Sequence, residues 1–482
     1  MIINAEYQTH LDENLNNNPL CEAIHIELNR KRFIERLTVI PVIQPDFWEL
    51  PAIYQQTQLR QLTEIHIPVP QTWGLYSKMI SMILYGYFHR NPLSKDMRMF
   101  NGQVADAMRK GQVFTHGNSG IHGPSTAPSA LVYGESGSGK TTAIRRILSQ
   151  IPQAIKHTLY QGEHFKKTQL VWVSFDLPPN GSPKAMTANF FRAVDAALGT
   201  KYTAEWSDHG KFSVDKLLAA MQNVASAHCL GLVHIDELQF MLGYKKIKDS
   251  PSLQILETLF NKIGIPIIQS STQQGVELFD TLKSSDHRLG HDLTTVRRML
   301  NDREFKFSTH SQHSEYFNQL FDVLFLPSLA YGDLPDDTAE FKRVFHKLTC
   351  GLTAIMTRLA HMHHETLQSL LQNPDKAKSY HTTFDIQLLN RVFKNQFHLI
   401  EPALISLRNE QGGGLEKPSN NKSSVAEISS PSNDHATKSD VAPKVVLPTV
   451  VKSADAPVEG IGHLELDKSF GAFQSGFGAE DE

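Results

Sequence analysis

The chain has 482 residues, 40% of them hydrophobic, and a formal net charge of −3, which is too long for one compact core and apolar enough to fill two or three packed units. Residues 411–482 hold 6 Lys/Arg against 11 Asp/Glu, leaving 41 against 39 for residues 1–410; a global positive field is excluded, so any nucleic-acid contact must come from local basic patches. Cys21, Cys229 and Cys350 lack partners at zinc-site or redox-motif spacing, the start MIINAEYQTHLDENLNNN has no signal-peptide pattern, and no run of about 18 apolar residues occurs, so a soluble intracellular protein with reduced cysteines is expected.

Residues 1–20 are polar and Asn-rich and read as extended or loosely attached. Between Pro19 and Gln112 short apolar runs accompany TWGLYSKMISMILYGYFHR, whose apolar residues recur at helical spacing, and a small accessory region is expected there. HGNSGIHGPSTAPSA then marks a mobile connection. From Ala130 to Ser308 short β-rich runs (ALVY, QLVWVSFDL, LGLVHIDEL, IPIIQSS, REFKFS) alternate with amphipathic helical stretches, the pattern of a parallel sheet covered on both faces. From Ser314 to Arg408 helical patterns dominate and predict a lid. After Gln411 the composition turns to Gly, Ser, Pro, Lys and Asn, which predicts a disordered tail. Its end, ELDKSFGAFQSGFGAEDE, reads either as a docking motif or as an uncommitted solubilising tail.

The strongest chemical signal is GESGSGKT, Gly134 to Thr141, directly after an apolar strand and directly before a helical run. Glycines 134, 137 and 139 let the backbone turn so that successive N–H groups converge on phosphate oxygens, and the helix that follows presents its positive end to them. Gly134, Glu135, Ser136, Gly137, Ser138, Gly139, Lys140, Thr141 and Thr142 are the candidate ATP-binding set. Lys140 is expected to reach the β- and γ-phosphates and Thr141 to give its hydroxyl to Mg²⁺.

LGLVHIDELQ, residues 230–239, predicts a buried strand with two acids at its C-terminal end, where open α/β sheets place ligands. Asp236 is the second candidate metal ligand, and Glu237 is placed to polarise the attacking water. Alone such a pair is more often a helix cap or solvated turn than a catalytic site; about a hundred residues after a phosphate loop it gains weight. Ser270, Ser271 and Thr272 come to the same edge, and Thr272 is the chosen γ-phosphate sensor, with capping of the next helix an equal reading. Arg297 and Arg298, or Arg288 in their stead, are candidates for reaching a neighbouring subunit's nucleotide, against a solvated helix face. Arg358 could contact nucleotide from the lid or form a surface ion pair. Lys184, Lys245, Lys246 and Lys248 are candidate phosphate contacts to DNA, as is NRKRFIER at residues 29–36, although lysines in a loop are usually only solvated surface. HMHH, residues 361–364, lacks a carboxylate or Cys partner at ligand spacing and is not read as a metal site.

The arrangement resembles the AAA+ transposition regulators of the TnsC/TniB type, from bacterial transposons that choose their target site. The similarity extends through NPLCEA (18–23), GYFHRNP (86–92), NGSPKAMTANFFRAVDAALG (180–199), ASAHCLGLVHIDELQ (225–239), GIPIIQSSTQQGVELF (264–279) and TTFDIQLLNRVF (382–393) with EPALISLR after it, roughly residues 15–410. It implies an α/β fold with an AAA+ P-loop core, a parallel five-stranded sheet and a C-terminal helical lid; with the composition along the chain, the expected division is an N-terminal accessory region (1–125), the ATPase core (126–310), the lid (311–410) and a disordered tail (411–482). It further implies a cytoplasmic bacterial ATPase using ATP and Mg²⁺. Such a protein forms homo-oligomeric rings or helical filaments on double-stranded DNA and links a TnsD/TniQ-like target selector to transposase subunits. Gly134 to Thr141 would bind nucleotide, Asp236 and Glu237 would serve Mg²⁺ and hydrolysis, and Arg297 or Arg298 would act across the subunit interface. Three departures stand out: the stretch between Phe279 and Arg297 is longer than the family pattern, SST replaces a Gly-Thr in the sensor strand, and the tail does not match. A helicase-loader or replication-initiator ATPase, and a nucleotide signalling switch that binds no DNA, are the alternatives.

Overall fold

The computed structural model describes residues 2–115, 127–206, 212–244, 252–279, 293–300, 302–332, 338–373, 375 and 379–412. Among them eight strands form two sheets: β1 (Ile2–Asn4), β2 (Ser129–Gly134), β3 (Ala154–Tyr160), β4 (Glu163–Leu170), β5 (Trp172–Asp176), β6 (Leu232–Asp236), β7 (Ile267–Thr272) and β8 (Glu304–Phe307). The larger sheet has five strands in the order β5-β6-β7-β2-β8, all parallel. Every one of the five β-rich runs supplies one of its strands.

Alternation along these strands splits the apolar residues between two faces. Ala130, Val132, Leu232, Ile268, Phe305 and Phe307 share one core with the Thr72–Phe88 helix, the Lys140–Leu148 helix and the helices of the lid. Leu131, Val173, Phe175, Val233, Ile235 and Ile267 share the other with the Pro183–Leu198, Val214–Ala227 and Leu253–Phe260 helices. Both faces are therefore dry, which is why the strands read as apolar runs and not as alternating ones.

The small sheet, in the order β1-β3-β4, lay outside the expectation. Its hairpin turns at Gln161 and Gly162, which have φ of 51° and 83°, the backbone that a two-residue hairpin loop requires. Ile2–Asn4 pair in parallel with Ala154–Lys156. The segment that was expected to be extended or loose is thus held in place, because it completes the open edge of β3. Further along, His10 is buried and its Nε2 lies 2.9 Å from the Cys21 carbonyl oxygen, and Asn18 caps the short Pro19–Glu22 helix through its side chain.

The lid comprises helices Glu315–Leu324, Ala339–Thr349, Thr353–Leu371, Ile386–Gln396 and Glu401–Gly412. The N-terminal region packs directly on it: Trp48 Nε1 donates to the Ala330 carbonyl at 2.8 Å, and Gln368 Nε2 donates to Gln55 Oε1 at 3.0 Å. His363 and His364 are fully buried and hydrogen-bond the carbonyls of Thr383 and Leu324. They are core residues of the lid, and among the described residues no group of three or more His, Cys, Asp or Glu side chains is placed to hold a metal ion. No described helix is long and apolar enough to cross a membrane.

Candidate nucleotide site

Pairing brings the ends of five strands into line, with Asp176 opposite Asp236, Gly134 opposite Thr272 and Gly134 also opposite Phe307. The loop Glu135–Gly139 leaves β2 at this edge and runs into the Lys140–Leu148 helix. Gly134, Gly137 and Gly139 have φ of 151°, 81° and 92°, left-handed values that an L side chain rarely adopts. At Gly134 a Cβ would also lie 1.9 Å from the Phe307 carbonyl oxygen, so glycine there is required both by conformation and by the closeness of β8.

Lys140 is 8% exposed, and its ammonium donates to the carbonyls of Gly134 at 2.9 Å and Glu135 at 2.8 Å. Burial pushes its pKa down, with Asp236, Glu135 and Glu237 opposing that shift. Thr141 Oγ1 donates to Asp236 Oδ2 at 2.9 Å. The two candidate metal ligands are therefore in mutual contact, on adjacent walls of one cavity.

Asp236 is held by more than the sequence reading foresaw. Burial acts to raise its pKa, but nearby His234 and hydrogen bonds from Ser270, the Glu237 N–H and Thr141 outweigh it, and the carboxyl lies below the usual range. Behind it a buried row crosses the sheet: Ser174 Oγ lies 2.8 Å from His234 Nδ1, His234 Nε2 lies 2.9 Å from Ser270 Oγ, and Ser270 Oγ donates to Asp236 Oδ1. Since the Ser270 proton is committed to Asp236, Nε2 must donate to Ser270, and Nδ1 accepts from Ser174. Burial pushes His234 down to about 4, which keeps the imidazole neutral for this role. These partners were missed because they lie on three different strands; the signal available was the alternation that puts positions 174, 234 and 270 on one face.

Glu237 follows with φ of 60°, a left-handed backbone that is uncommon for a residue with a side chain, and such strain clusters at functional sites. Its carboxylate accepts from Gln239 Nε2. Thr272 lines the same cavity, and its Oγ1 is buried without a hydrogen-bond partner.

The cavity, about 550 Å³, is walled by Ser136, Gly137, the run Gly139 to Ala143, Asp236, Glu237, Gln239 and Thr272 on the sheet side. Thr353, Ala354, Thr357, Arg358 and His361 line it from the lid, and Ile65, His66, Ile67 and Val69 from the N-terminal region. That last contribution had no counterpart in the sequence reading. Arg358 is exposed and also donates to the Gln396 carbonyl at 3.3 Å, with its guanidinium 4.7 Å from the Phe397 ring centroid.

The remaining candidates lie apart. Arg298 forms an ion pair with Glu257 at 2.8 Å, inside its own chain, while Arg297 on the same Leu293–Met299 helix is exposed. Lys184 is exposed in the first turn of the Pro183–Leu198 helix. Lys245, Lys246, Lys248, Arg288 and the tail motif lie outside the described residues.

A glycine loop with a lysine between a buried strand and a helix, a Thr–Asp pair beneath it and a carboxylate one residue on define a P-loop nucleoside triphosphatase. A family model described as AAA domain matches residues 122–278. Residues 122–278 thus carry an AAA domain within an ATPase that has a five-stranded parallel core followed by helices. Among solved structures it is similar to a Walker-type ATPase of Pyrococcus abyssi, with a TM-score of 0.33 and 14% identity over 66% of this chain and 76% of that one. No curated protein matches the chain.

The residues present fit a divalent cation: the Thr141 hydroxyl and the Asp236 carboxylate are hard oxygen donors facing one cavity, with the charge of Asp236 maintained. When bound, Mg²⁺ would offset charge on the phosphate oxygens.

Proposed function

We propose that this ATPase is a DNA-bound switch of bacterial transposition, acting in the cytoplasm. In its ATP state it assembles as a homo-oligomer on target duplex DNA, connects a target-selecting protein to the transposase, and disassembles on hydrolysis. Lys140, Thr141 and Asp236 would hold ATP and Mg²⁺ in the cavity, and Glu237 takes the proton of the attacking water. The water oxygen bonds to the γ-phosphorus as the bond to the β–γ bridging oxygen breaks, releasing ADP and phosphate.

The observation that carries this reading is where the TnsC-like stretches meet. Asn18 and Cys21 of NPLCEA bond to the carbonyls of Tyr87 and Leu84. In GYFHRNP, Tyr87 Oη and Arg90 Nη1 bond to the carbonyls of Cys229 and Leu230 at 3.0 and 2.7 Å. Three stretches far apart in sequence thus form one buried junction behind β6, which supports reading them as one unit with the nucleotide core. Arg297 is exposed, as a residue reaching a neighbouring subunit must be, and Lys184 is exposed, as a DNA phosphate contact must be.

Electron microscopy of the protein with duplex DNA, with and without a non-hydrolysable ATP analogue, tests the proposal. Rings or filaments that need both DNA and the analogue are expected, lost in Lys140→Ala and frozen in Glu237→Gln with ATP. A monomer on duplex under all conditions overturns it.

A further inference from the structure

Gln239 is absent from the set of residues that the nucleotide motif identifies, yet its side chain makes the connection between the base and the sensor strand. Its Nε2 donates to Glu237 Oε2. Its Oε1 accepts from the Thr272 N–H at 3.1 Å and from Ser271 Oγ at 3.3 Å. Both ends of the amide are therefore occupied, and the assignment of O and N follows from the partners, since a carboxylate only accepts and a backbone N–H only donates. Gln239 also lines the cavity.

The surroundings are shaped for this contact. A Cβ on Gly275 would lie 1.7 Å from Ser271 Oγ and 3.2 Å from Gln239 Cβ, so the turn after β7 can close over the pair only because residue 275 is glycine. The Leu238 N–H donates to the Ser270 carbonyl at 3.0 Å, which fixes the backbone between Glu237 and Gln239 against β7. With one acceptor and two donors engaging its ends, the amide has little freedom to turn.

We infer that Gln239 is a positioning residue for ATP hydrolysis: it holds one oxygen of Glu237 so that the other faces the attacking water, and it ties that orientation to the end of β7. This rests on the reading of Glu237 as the base. A carboxylate on a long side chain samples several rotamers, and a general base is effective only within hydrogen-bond reach of the proton it takes. One fixed oxygen removes most of that freedom. Because the anchor is the backbone N–H of Thr272, whose own hydroxyl is buried and unpartnered in the same cavity, a γ-phosphate that engages Thr272 acts on the alignment of Glu237 through Gln239.

The test is steady-state ATP hydrolysis by the full chain carrying Gln239→Met, which keeps the shape and removes both hydrogen-bonding ends. Its kcat is expected to fall roughly tenfold or more with KM within about threefold of wild type. In a Glu237→Gln background the same change is expected to lower the residual rate no further, because its effect acts through Glu237. Gln239→Glu retains the acceptor for Thr272 and loses the donor; it serves if the Met variant does not fold, and the same loss of kcat is expected. A wild-type kcat in these variants, an equal factor lost in the Glu237→Gln background, or a loss confined to KM overturns the inference. If the wild-type protein hydrolyses ATP and Glu237→Gln does so at the same rate, the reading of the base falls first and takes this inference with it.

Discussion

The Ala354 backbone N–H donates to the Gly137 carbonyl at 3.1 Å, and a Cβ on Gly137 would lie 3.2 Å from that of Ala354. The first turn of the Thr353–Leu371 lid helix is thereby pinned to the phosphate loop. A change of loop shape on nucleotide binding must move the lid, and the lid in turn carries Arg358 and His361 on the cavity wall.

The three loop glycines should respond unequally to alanine. Gly134→Ala meets the Phe307 backbone and should cost about 3 kcal/mol or more, enough to lower the melting temperature by several degrees. Gly139→Ala has nothing within 4 Å of its Cβ and should cost only about 1 kcal/mol of left-handed strain. Gly137→Ala falls between them, and nucleotide affinity should drop with it. Denaturant titration of the three variants checks the ranking; equal losses would contradict the geometry.

Ser270 joins His234 to Asp236. Ser270→Ala leaves both without that partner and should cost about 1–3 kcal/mol of stability. With Asp236 less firmly oriented, the Mg²⁺ concentration giving half-maximal ATPase activity should rise roughly tenfold, in line with the loss of other outer hydrogen bonds to metal ligands. An unchanged Mg²⁺ titration would show that the buried row only supports the sheet.

Arg297 and Arg298 are neighbours with different environments. Arg298 pairs with Glu257, whose side chain is 3% exposed, so Arg298→Ala leaves a buried carboxylate with only the longer contact to Lys262, at 3.7 Å, and should destabilise the protein by about 1–2 kcal/mol. Arg297→Ala should leave the melting temperature within a degree or so and lower only the ATPase rate of the assembled form. If Arg298→Ala melts like wild type while ATPase in the assembly collapses, the trans-acting role belongs to Arg298.

Burial pushes His363 down to about 4 and His364 down to about 3. In the unfolded chain each takes a proton near pH 6.5, so between pH 6.5 and about 4 the unfolded state holds more protons than the folded one. Stability from these groups is complete above 6.5 and falls as the pH drops, by up to about 1.4 kcal/mol per pH unit for each histidine. His364→Leu should be less stable at pH 7.5, having lost the bond to the Leu324 carbonyl, but should lose stability less steeply between pH 6 and 5. Equal slopes would rule out this origin.

The amino-acid sequence determined the parts of this protein that are local. Strand, glycine loop, lysine and helix are contiguous from Ser129 to Leu148, so one linear spacing specifies a phosphate cradle, and Asp236 and Glu237 end an apolar strand whose only place in a covered sheet is the interior. The five strands of that sheet were legible for the same reason. Residues 1–20, expected to be extended or loosely attached, are extended at Ile2–Asn4 but not loose: their composition is polar, yet Ile2–Asn4 satisfy an edge of a hairpin that the Gln161–Gly162 turn barely announces. Only the tertiary structure decided what surrounds the reacting groups. Ser174 meets His234 across 60 residues and Gln239 meets Thr272 across 33, while Ile65 to Val69 close a cavity begun at residue 136. Such contacts depend on strand order and side-chain direction, which the parallel pairing of β5, β6, β7 and β2 fixes and which spacing along a chain does not encode.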